Sequence, residues 1–244
     1  MLFLAACIIP QPLRGQKVNT ARMDEAALPS DVILPRPRLD GRIVGGYKPR
    51  WVLTAAHCTA GKTAEKLKVR IGSSEASSGG QLLRVNEIVQ HEKFNYSNVD
   101  YDFSLLRLDK EIQFSENKKS VKLPGASDEF MDGDICYVTG WGNTQNESES
   151  RQWLRQAEVP IFNQDLCSEK YKQFGGVTER MICAGYLEGG KDACQRNSGG
   201  PLTNKDGVLV GVVSWGYGCA RPEYPGVYSR VQYAREWLRQ HSGV

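Results

Sequence analysis

The sequence predicts an all-β protein, because short apolar or alternating runs bounded by turn residues recur along most of the chain. Leu67, Val69 and Ile71 alternate with polar residues, as in a strand with one buried face. Three compact apolar runs follow, at 103–108, 135–139 and 208–215. Pairs of adjacent glycines predict turns between strands, at 79–80, 175–176 and 189–190. This spacing favours a barrel or sandwich over alternating strands and helices.

The last stretch of the chain differs, since its apolar residues recur at helical spacing. They predict an amphipathic helix over 231–244. The four apolar positions are Val231, Ala234, Trp237 and Leu238. A polar piece at 111–125 is the expected boundary between two lobes, which we place at 43–120 and 121–230.

Composition and charge narrow the class of protein. The chain has 244 residues, of which 40% are hydrophobic and 24% charged, as in soluble globular proteins. A net charge of +3 is too small to suggest nucleic acid or an anionic membrane as a partner. The sequence contains no apolar run of the roughly 18 residues that a membrane-spanning helix needs.

Residues 1–16 are expected to be a signal peptide, because an apolar block, Met1 to Ile9, precedes Pro10. The alternative is a short buried strand. Residues 17–42 are polar and contain prolines, which predicts an extended pro-segment. Apart from Cys7, the chain has six cysteines, an even number that favours disulfides in a secreted protein over metal ligands. The pattern predicts no metal site and no cofactor.

Three motifs carry the chemistry of the chain. Thr-Ala-Ala-His-Cys places His57 beside Cys58, and Asp102 begins Asp-Phe-Ser-Leu-Leu. The third motif, at 192–201, reads Asp-Ala-Cys-Gln-Arg-Asn-Ser-Gly-Gly-Pro and contains Ser198. Together, in this order, they resemble the motifs of trypsin-like (chymotrypsin family) serine proteases. The resemblance extends from about Ile43 to the C-terminus.

The resemblance implies two six-stranded-type antiparallel β-barrels, a C-terminal helix and a secreted serine endopeptidase. Ser198 would be the nucleophile and His57 the general base and acid, with Asp102 orienting the imidazole. The chemistry needs all three, since a hydroxyl is a poor nucleophile until an oriented, neutral imidazole takes its proton. The backbone N–H groups of Arg196 and Ser198 would form the oxyanion hole.

The resemblance also implies a substrate pocket that selects basic side chains. Asp192 would pair with an Arg or Lys of a protein or peptide substrate. The pocket walls would be Ser214, Trp215, Gly216 and Gly226. Ala193 stands where many trypsins carry Ser, so a Lys ammonium would lose one acceptor and Arg substrates should be preferred.

Activation and disulfides follow from the same resemblance. Cleavage between Arg42 and Ile43 would free an α-amino group, and Asn197 would lie in the pocket that receives it. By position, Cys167–Cys183 and Cys194–Cys219 match two family disulfides. Cys58 and Cys136 have no matching partner, and a direct bond between them is not expected.

Three departures from the family pattern bear on activity. Only four residues separate Gly46 from Trp51, which truncates the first barrel by about two strands. Arg196 replaces a Gly whose backbone is expected to have positive φ. Asn197 replaces an Asp and brings no charge to the freed amino group. The alternatives to an active enzyme are a non-catalytic binding or decoy homologue and a sequence that lacks an exon.

Several further expectations concern the surface. Protein protease inhibitors are possible partners, and the chain is expected to be a monomer. Asn95 and Asn146 begin glycosylation sequons, whose use stays open. Glu75 alone is too little for a calcium site. His91 and His241 are expected to be exposed and without a role.

Overall fold

The computed structural model describes residues 49–144, 149–194 and 196–244, together with the backbone of two short strands. These strands are β1 (Arg38–Leu39) and β2 (Arg42–Ile43), which pair antiparallel. The expected signal peptide, at 1–16, lies outside the described residues, as does the pro-segment apart from these strands.

The first sheet has four antiparallel strands. They are β3 (Trp51–Thr54), β4 (Lys68–Ile71), β5 (Gln81–Gln90) and β6 (Ser104–Leu108). Their order across the sheet is β3-β6-β5-β4, so β3 forms one edge. A short helix, α1 (Ala56–Thr59), follows β3, and a 3₁₀ turn at Ala64–Lys66 precedes β4. Alternation along β4 buries Val69 and Ile71 but exposes Lys68, as the sequence predicts.

The second sheet has six antiparallel strands in the order β8-β7-β10-β11-β12-β9. They are β7 (Ile135–Gly140), β8 (Arg155–Pro160), β9 (Met181–Ala184), β10 (Pro201–Asn204), β11 (Leu209–Trp215) and β12 (Gly226–Arg230). Helix α2 (Gln164–Lys170) begins after Asn163, whose side chain accepts a hydrogen bond from Leu166 N–H and caps the helix. A 3₁₀ turn at Lys172–Phe174 follows.

The C-terminal helix α3 (Val231–Ser242) connects the two sheets through one apolar cluster. Its four predicted apolar positions are all buried, and they pack against residues from both sheets. Leu53 and Leu105 come from the first sheet, and Leu209 and Val212 come from the second. The helix ends at Gly243, whose φ of +77° is the left-handed conformation typical of a helix C-terminus.

The predicted all-β architecture is confirmed as two curled antiparallel sheets with few helices and a C-terminal helix. The three glycine pairs all have positive φ, as turns require. The short segment before Trp51 leaves the first sheet with four strands, and among the described residues β3 pairs with β6 alone.

Candidate active site

His57 and Asp102 form a hydrogen-bonded pair where β3 and β6 lie side by side. His57 is in α1, directly after β3, and Asp102 lies two residues before β6. The Asp102 carboxylate contacts ring Nδ1 of His57 at 2.7 Å and accepts from its backbone N–H at 2.8 Å. Ser214 donates its hydroxyl to the same carboxylate at 2.6 Å. Since Asp102 is fully buried, this pairing favours a proton on Nδ1 and leaves Nε2 to act as a base.

The sulfur of Cys58 is a neighbour of His57 that the sequence analysis missed. It lies 3.5 Å from Nε2 of the imidazole. The thiol follows His57 directly in the chain, and this adjacency was the available signal. Cys58 and Cys136 are both buried and form no disulfide with each other. Burial, with the nearby charge of Asp134, raises the pKa of the Cys136 thiol to about 12, so that this thiol stays neutral.

Ser198 lies on the loop between β9 and β10, which the second sheet supplies. Gly199 N–H donates to Val213 O at 2.7 Å and fixes the loop just after the serine. The disulfide Cys194–Cys219 joins the start of the loop to the segment after β11. The Ser198 hydroxyl makes no hydrogen bond to a described residue. The structure thus assembles the His57–Asp102 contact but not a hydrogen bond between Ser198 and His57.

Arg196 has a φ of +76°. It is the third residue of a four-residue turn that closes through Asn197 N–H to Cys194 O at 2.9 Å. Positive φ at this turn position normally selects glycine. The side chain of Arg196 is exposed, so the arginine fits sterically but strains its backbone by about 1–2 kcal/mol.

Asn197 directs its side chain toward β7 and the residues that follow it. Its Oδ1 accepts from Gly142 N–H at 2.8 Å. A Cβ atom on Gly140 or Gly142 would overlap the Asn197 amide, so this contact requires glycine at both positions. The sequence analysis missed this pair, although two glycines flanking Trp141 signal a close backbone approach. Arg42 and Ile43, between which cleavage is expected, both lie in β2, which pairs with β1.

Asp192 lies against β12 and the segment after β11. Its Oδ2 accepts from Ala220 N–H at 3.0 Å. Although the residue as a whole is only half-buried, its Oδ1 is shielded from solvent and has no hydrogen-bond partner among the described residues. A Cβ atom on Gly226 would lie 2.5 Å from this oxygen, so the glycine makes room at the carboxylate. The nearby Tyr228 hydroxyl, which sequence analysis missed, also lacks a partner.

The surroundings of Asp192 perturb its ionisation. Burial raises its pKa to about 7, although the hydrogen bond from Ala220 N–H and the nearby N–H of Ala193 oppose the shift. A cation that reaches the unpaired oxygen would stabilise the charged form of this desolvated carboxylate strongly.

The predicted walls of the pocket lie at the end of β11 and just beyond it. Trp215 ends the strand and contacts the buried ring of Tyr171 edge-on, with centroids 4.9 Å apart. A Cβ atom on Gly216 would meet nothing in the chain closer than the Tyr171 hydroxyl at 3.6 Å. Among the described residues, a Cβ atom at this position would therefore make only ordinary van der Waals contacts.

Both family-matched disulfides, Cys167–Cys183 and Cys194–Cys219, are present. Of the two sequons, Asn95 is exposed, whereas Asn146 lies outside the described residues.

The expectation that His91 is exposed is wrong. Only 8% of it is accessible, because α3 packs across the turn after β5 and places Trp237 on the imidazole, with centroids 5.0 Å apart. Burial lowers the pKa of His91. His241 is also partly covered, and its Nε2 lies 3.0 Å from the carboxylate of Glu92. Helical spacing showed that α3 has a buried face but not which loop it covers.

A buried carboxylate–imidazole pair, a serine on a disulfide-braced loop and two curled antiparallel sheets define a trypsin-like serine endopeptidase. A family model described as Trypsin matches residues 46–238, and the chain belongs to that family. No helix within the described parts of the chain is long and apolar enough to cross a membrane.

Curated relatives agree with this assignment. Trypsin 5G1 of Aedes aegypti is 53% identical over 196 residues, which cover 80% of this chain and 73% of the relative. Trypsin of Simulium vittatum is 49% identical over 180 residues, covering 74% and 72%. Vitellin-degrading protease of Bombyx mori is 43% identical over 190 residues, covering 78% and 72%.

Proposed function

We propose that this serine endopeptidase is made as a zymogen and, after cleavage between Arg42 and Ile43, hydrolyses proteins after Arg or Lys. The observation that carries the specificity is the unpartnered, solvent-shielded Oδ1 of Asp192 beside Gly226. A substrate guanidinium or ammonium group supplies the missing charge and hydrogen-bond donors. Arg is the better substrate, because its planar fork can bind the carboxylate with two parallel hydrogen bonds and Ala193 offers no hydroxyl to Lys.

The catalytic roles follow from the side chains at the site. Nε2 of His57 takes the proton from Ser198 Oγ as that oxygen attacks the scissile carbonyl carbon. Asp102 stabilises the imidazolium, and the N–H groups of Arg196 and Ser198 stabilise the oxyanion. His57 then returns the proton to the departing amine, which leaves an acyl group on Ser198. Water, deprotonated by His57, hydrolyses this ester and restores the serine.

Activation is proposed to complete the Ser198 half of the site. The freed α-amino group of Ile43 reaches Asn197, whose Oδ1 already accepts from Gly142 N–H at 2.8 Å. The amide oxygen has a second lone pair for the ammonium but no charge to neutralise it. Activation is therefore weaker than with a carboxylate at this position.

We propose that residues 1–16 are a signal peptide and that the protein is secreted, a destination with which the two disulfides are consistent. Its partners would be protein substrates and protein inhibitors, bound by a monomer. The family match and the intact His57–Asp102 pair do not favour the non-catalytic alternative.

The test is turnover of matched fluorogenic peptides that differ only in Arg, Lys or Phe before the cleaved bond. The chain is first cut after Arg42, and mass spectrometry confirms an Ile43 N-terminus. We expect kcat/KM to be highest for Arg, lower for Lys and negligible for Phe. Asp192→Asn should remove the preference for the basic peptides without unfolding the chain, as circular dichroism would show. Equal turnover of the Arg and Lys peptides would refute the Ala193 argument, and turnover of the Phe peptide alone would refute basic specificity.

A further inference from the structure

The segment directly before Asp102 has a strained backbone. Val99 has a φ of +56° and Tyr101 a φ of +53°, and neither is glycine. A β-branched residue such as valine is particularly unfavourable in this region. Such conformations persist only where the surrounding structure holds them, and they concentrate at functional sites. Two strained residues on either side of Asp100 therefore call for an identifiable restraint.

The restraint is an ion pair between Asp100 and Arg180. Arg180 directly precedes β9 of the second sheet, whereas Asp100 lies on the loop that leads into β6 of the first sheet. Arg180 Nη2 lies 2.7 Å from Asp100 Oδ2, and Nε contacts both carboxylate oxygens at 3.0–3.1 Å. Thr178 and the backbone N–H of Tyr101 also donate to Oδ1, each at 3.0 Å.

The environment keeps this pair ionised. Asp100 is buried, which by itself would raise its pKa. The hydrogen bonds from Arg180 and Thr178 outweigh the effect of burial, so the pKa lies below its usual value. Hydrogen bonds to a desolvated charge are among the stronger ones in proteins.

Arg180 also holds the second strained residue, Tyr101. Its guanidinium lies over the Tyr101 ring, 4.8 Å from the centroid. The ring of His91 lies on Tyr101 as well, with centroids 4.6 Å apart. One side chain from the second sheet thus restrains both residues that immediately precede Asp102.

We propose that Arg180 is a positioning residue, which holds the strained segment 99–101 so that Asp102 meets His57 Nδ1. The inference rests on the proposed function for its kinetic consequence. Without the hydrogen bonds from the Arg180 guanidinium to Asp100, the strained segment relaxes. Asp102 then moves, and the imidazole of His57 is no longer held in its catalytic orientation. When a distant change displaces a catalytic group by about 1 Å, the rate falls by up to about 100-fold.

The variant Arg180→Met keeps most of the side-chain bulk and removes the charge and all donors. In the processed enzyme, we expect kcat to fall about 10- to 100-fold with little change in KM, because the substrate pocket is untouched. Among the described contacts of the His57 ring, the charged or titratable groups are Asp102 and the Cys58 thiol. A carboxylate beside an imidazole favours its protonated form, so loss of the Asp102 contact should move the acid limb of the kcat/KM profile to lower pH.

Two further variants separate positioning from stability. Arg180→Lys keeps the positive charge but not the planar set of donors that binds both oxygens of Asp100. Its kcat should lie between those of Arg180→Met and the wild type. Arg107→Met is the matched control, because Arg107 forms an ion pair with Glu87 at 2.6 Å on the exposed face of the first sheet, the sheet that contains β6. Its removal should change neither kcat nor the pH profile.

A second measurement does not depend on turnover. The Nδ1 proton of His57, bound to Asp102, should give a low-field proton NMR resonance in the unprocessed chain. Arg180→Met should broaden or remove it, and Arg107→Met should leave it in place. If processed wild type does not turn over, the proposed function fails while this resonance still tests the positioning. An unchanged resonance, or an unchanged kcat and acid limb in an active enzyme, would overturn the inference.

Discussion

The His57–Asp102 pair and the Ser198 loop, which together make the active site, differ in how complete they are. In the unprocessed chain, the buried Asp102 carboxylate already has three hydrogen-bond contacts, from the His57 ring, the His57 backbone and Ser214. The Ser198 hydroxyl has no described partner, and Arg196 is strained at φ +76°. The difference teaches that folding alone forms the His57–Asp102 pair, whereas the Ser198 half of the site is not held in place in the same way, which is why we propose that activation completes it.

Two of the three departures from the family pattern, the gap before Trp51 and Asn197, have unequal consequences. The gap before Trp51 falls in the first sheet, yet the His57–Asp102 pair is formed there, because β3 still pairs with β6 along all four of its residues. The second sheet has all six strands, but Asn197, which we propose receives the freed α-amino group, carries no charge. Leu53 of β3 still packs in the same apolar cluster as α3, whereas the amide of Asn197 cannot supply the charge of a carboxylate.

The largest effect is expected from Asp102→Asn, which breaks the complete half of the site. The Asn side chain has an NH₂ group, which cannot accept hydrogen bonds from the groups that now donate to the carboxylate. His57 would then carry its proton on Nε2, where it cannot act as a base. We expect kcat to fall about 10⁴-fold with the fold intact. Steady-state kinetics of the processed enzyme checks this, with circular dichroism as the folding control. A fall of less than tenfold would show that the pair does not drive catalysis.

Asn197→Asp should raise activity, because it supplies a counter-ion for the freed α-amino group. A buried ammonium without a partner costs on the order of 3–5 kcal/mol, equivalent to about 10²- to 10⁴-fold in the equilibrium between active and inactive conformers. Active-site titration before and after cleavage at Arg42 would measure this fraction. The uncleaved variant is the control and should gain nothing. No gain after cleavage would mean that the Asn197 amide already suffices.

The pH dependence of cation binding tests the specificity pocket. With the pKa of Asp192 raised to about 7, the empty pocket is mostly protonated at pH 6 and mostly ionised at pH 8. Benzamidine, a cation over this range, should therefore bind about tenfold more tightly at pH 8 than at pH 6. Calorimetry on wild type and Asp192→Asn gives the comparison. The variant should bind weakly and without this pH dependence, and a flat wild-type profile would contradict the perturbed pKa.

Arg196→Gly should have the smallest effect. It relieves positive-φ strain of about 1–2 kcal/mol but increases the entropy of the unfolded chain, so we expect a net stabilisation of about 1 kcal/mol or less. Chemical denaturation would measure it. Arg151→Gly, on an exposed turn residue without positive φ, is the matched control and should not stabilise. Equal effects of the two substitutions would show that Arg196 is not strained.

Much of the fold could be predicted from the sequence, because its patterns are local. Alternation at 67–71 and the helical spacing after Val231 predicted β4 and α3, and the glycine pairs predicted turns. The His57 and Asp102 motifs were predicted as partners through family resemblance. Contacts between distant segments could not be predicted. The burial of His91 under Trp237 and the Arg180–Asp100 pair depend on how the two sheets meet, which no local pattern records.

The central claim is that cleavage after Arg42 turns Ser198 into a nucleophile. A fluorophosphonate probe reacts only with an activated serine, so labelling of the chain before and after cleavage tests the claim directly. We predict labelling of the processed chain at Ser198, located by peptide mass spectrometry, with little labelling of the unprocessed chain and none of Ser198→Ala. A processed, folded chain that takes up no label would contradict the account.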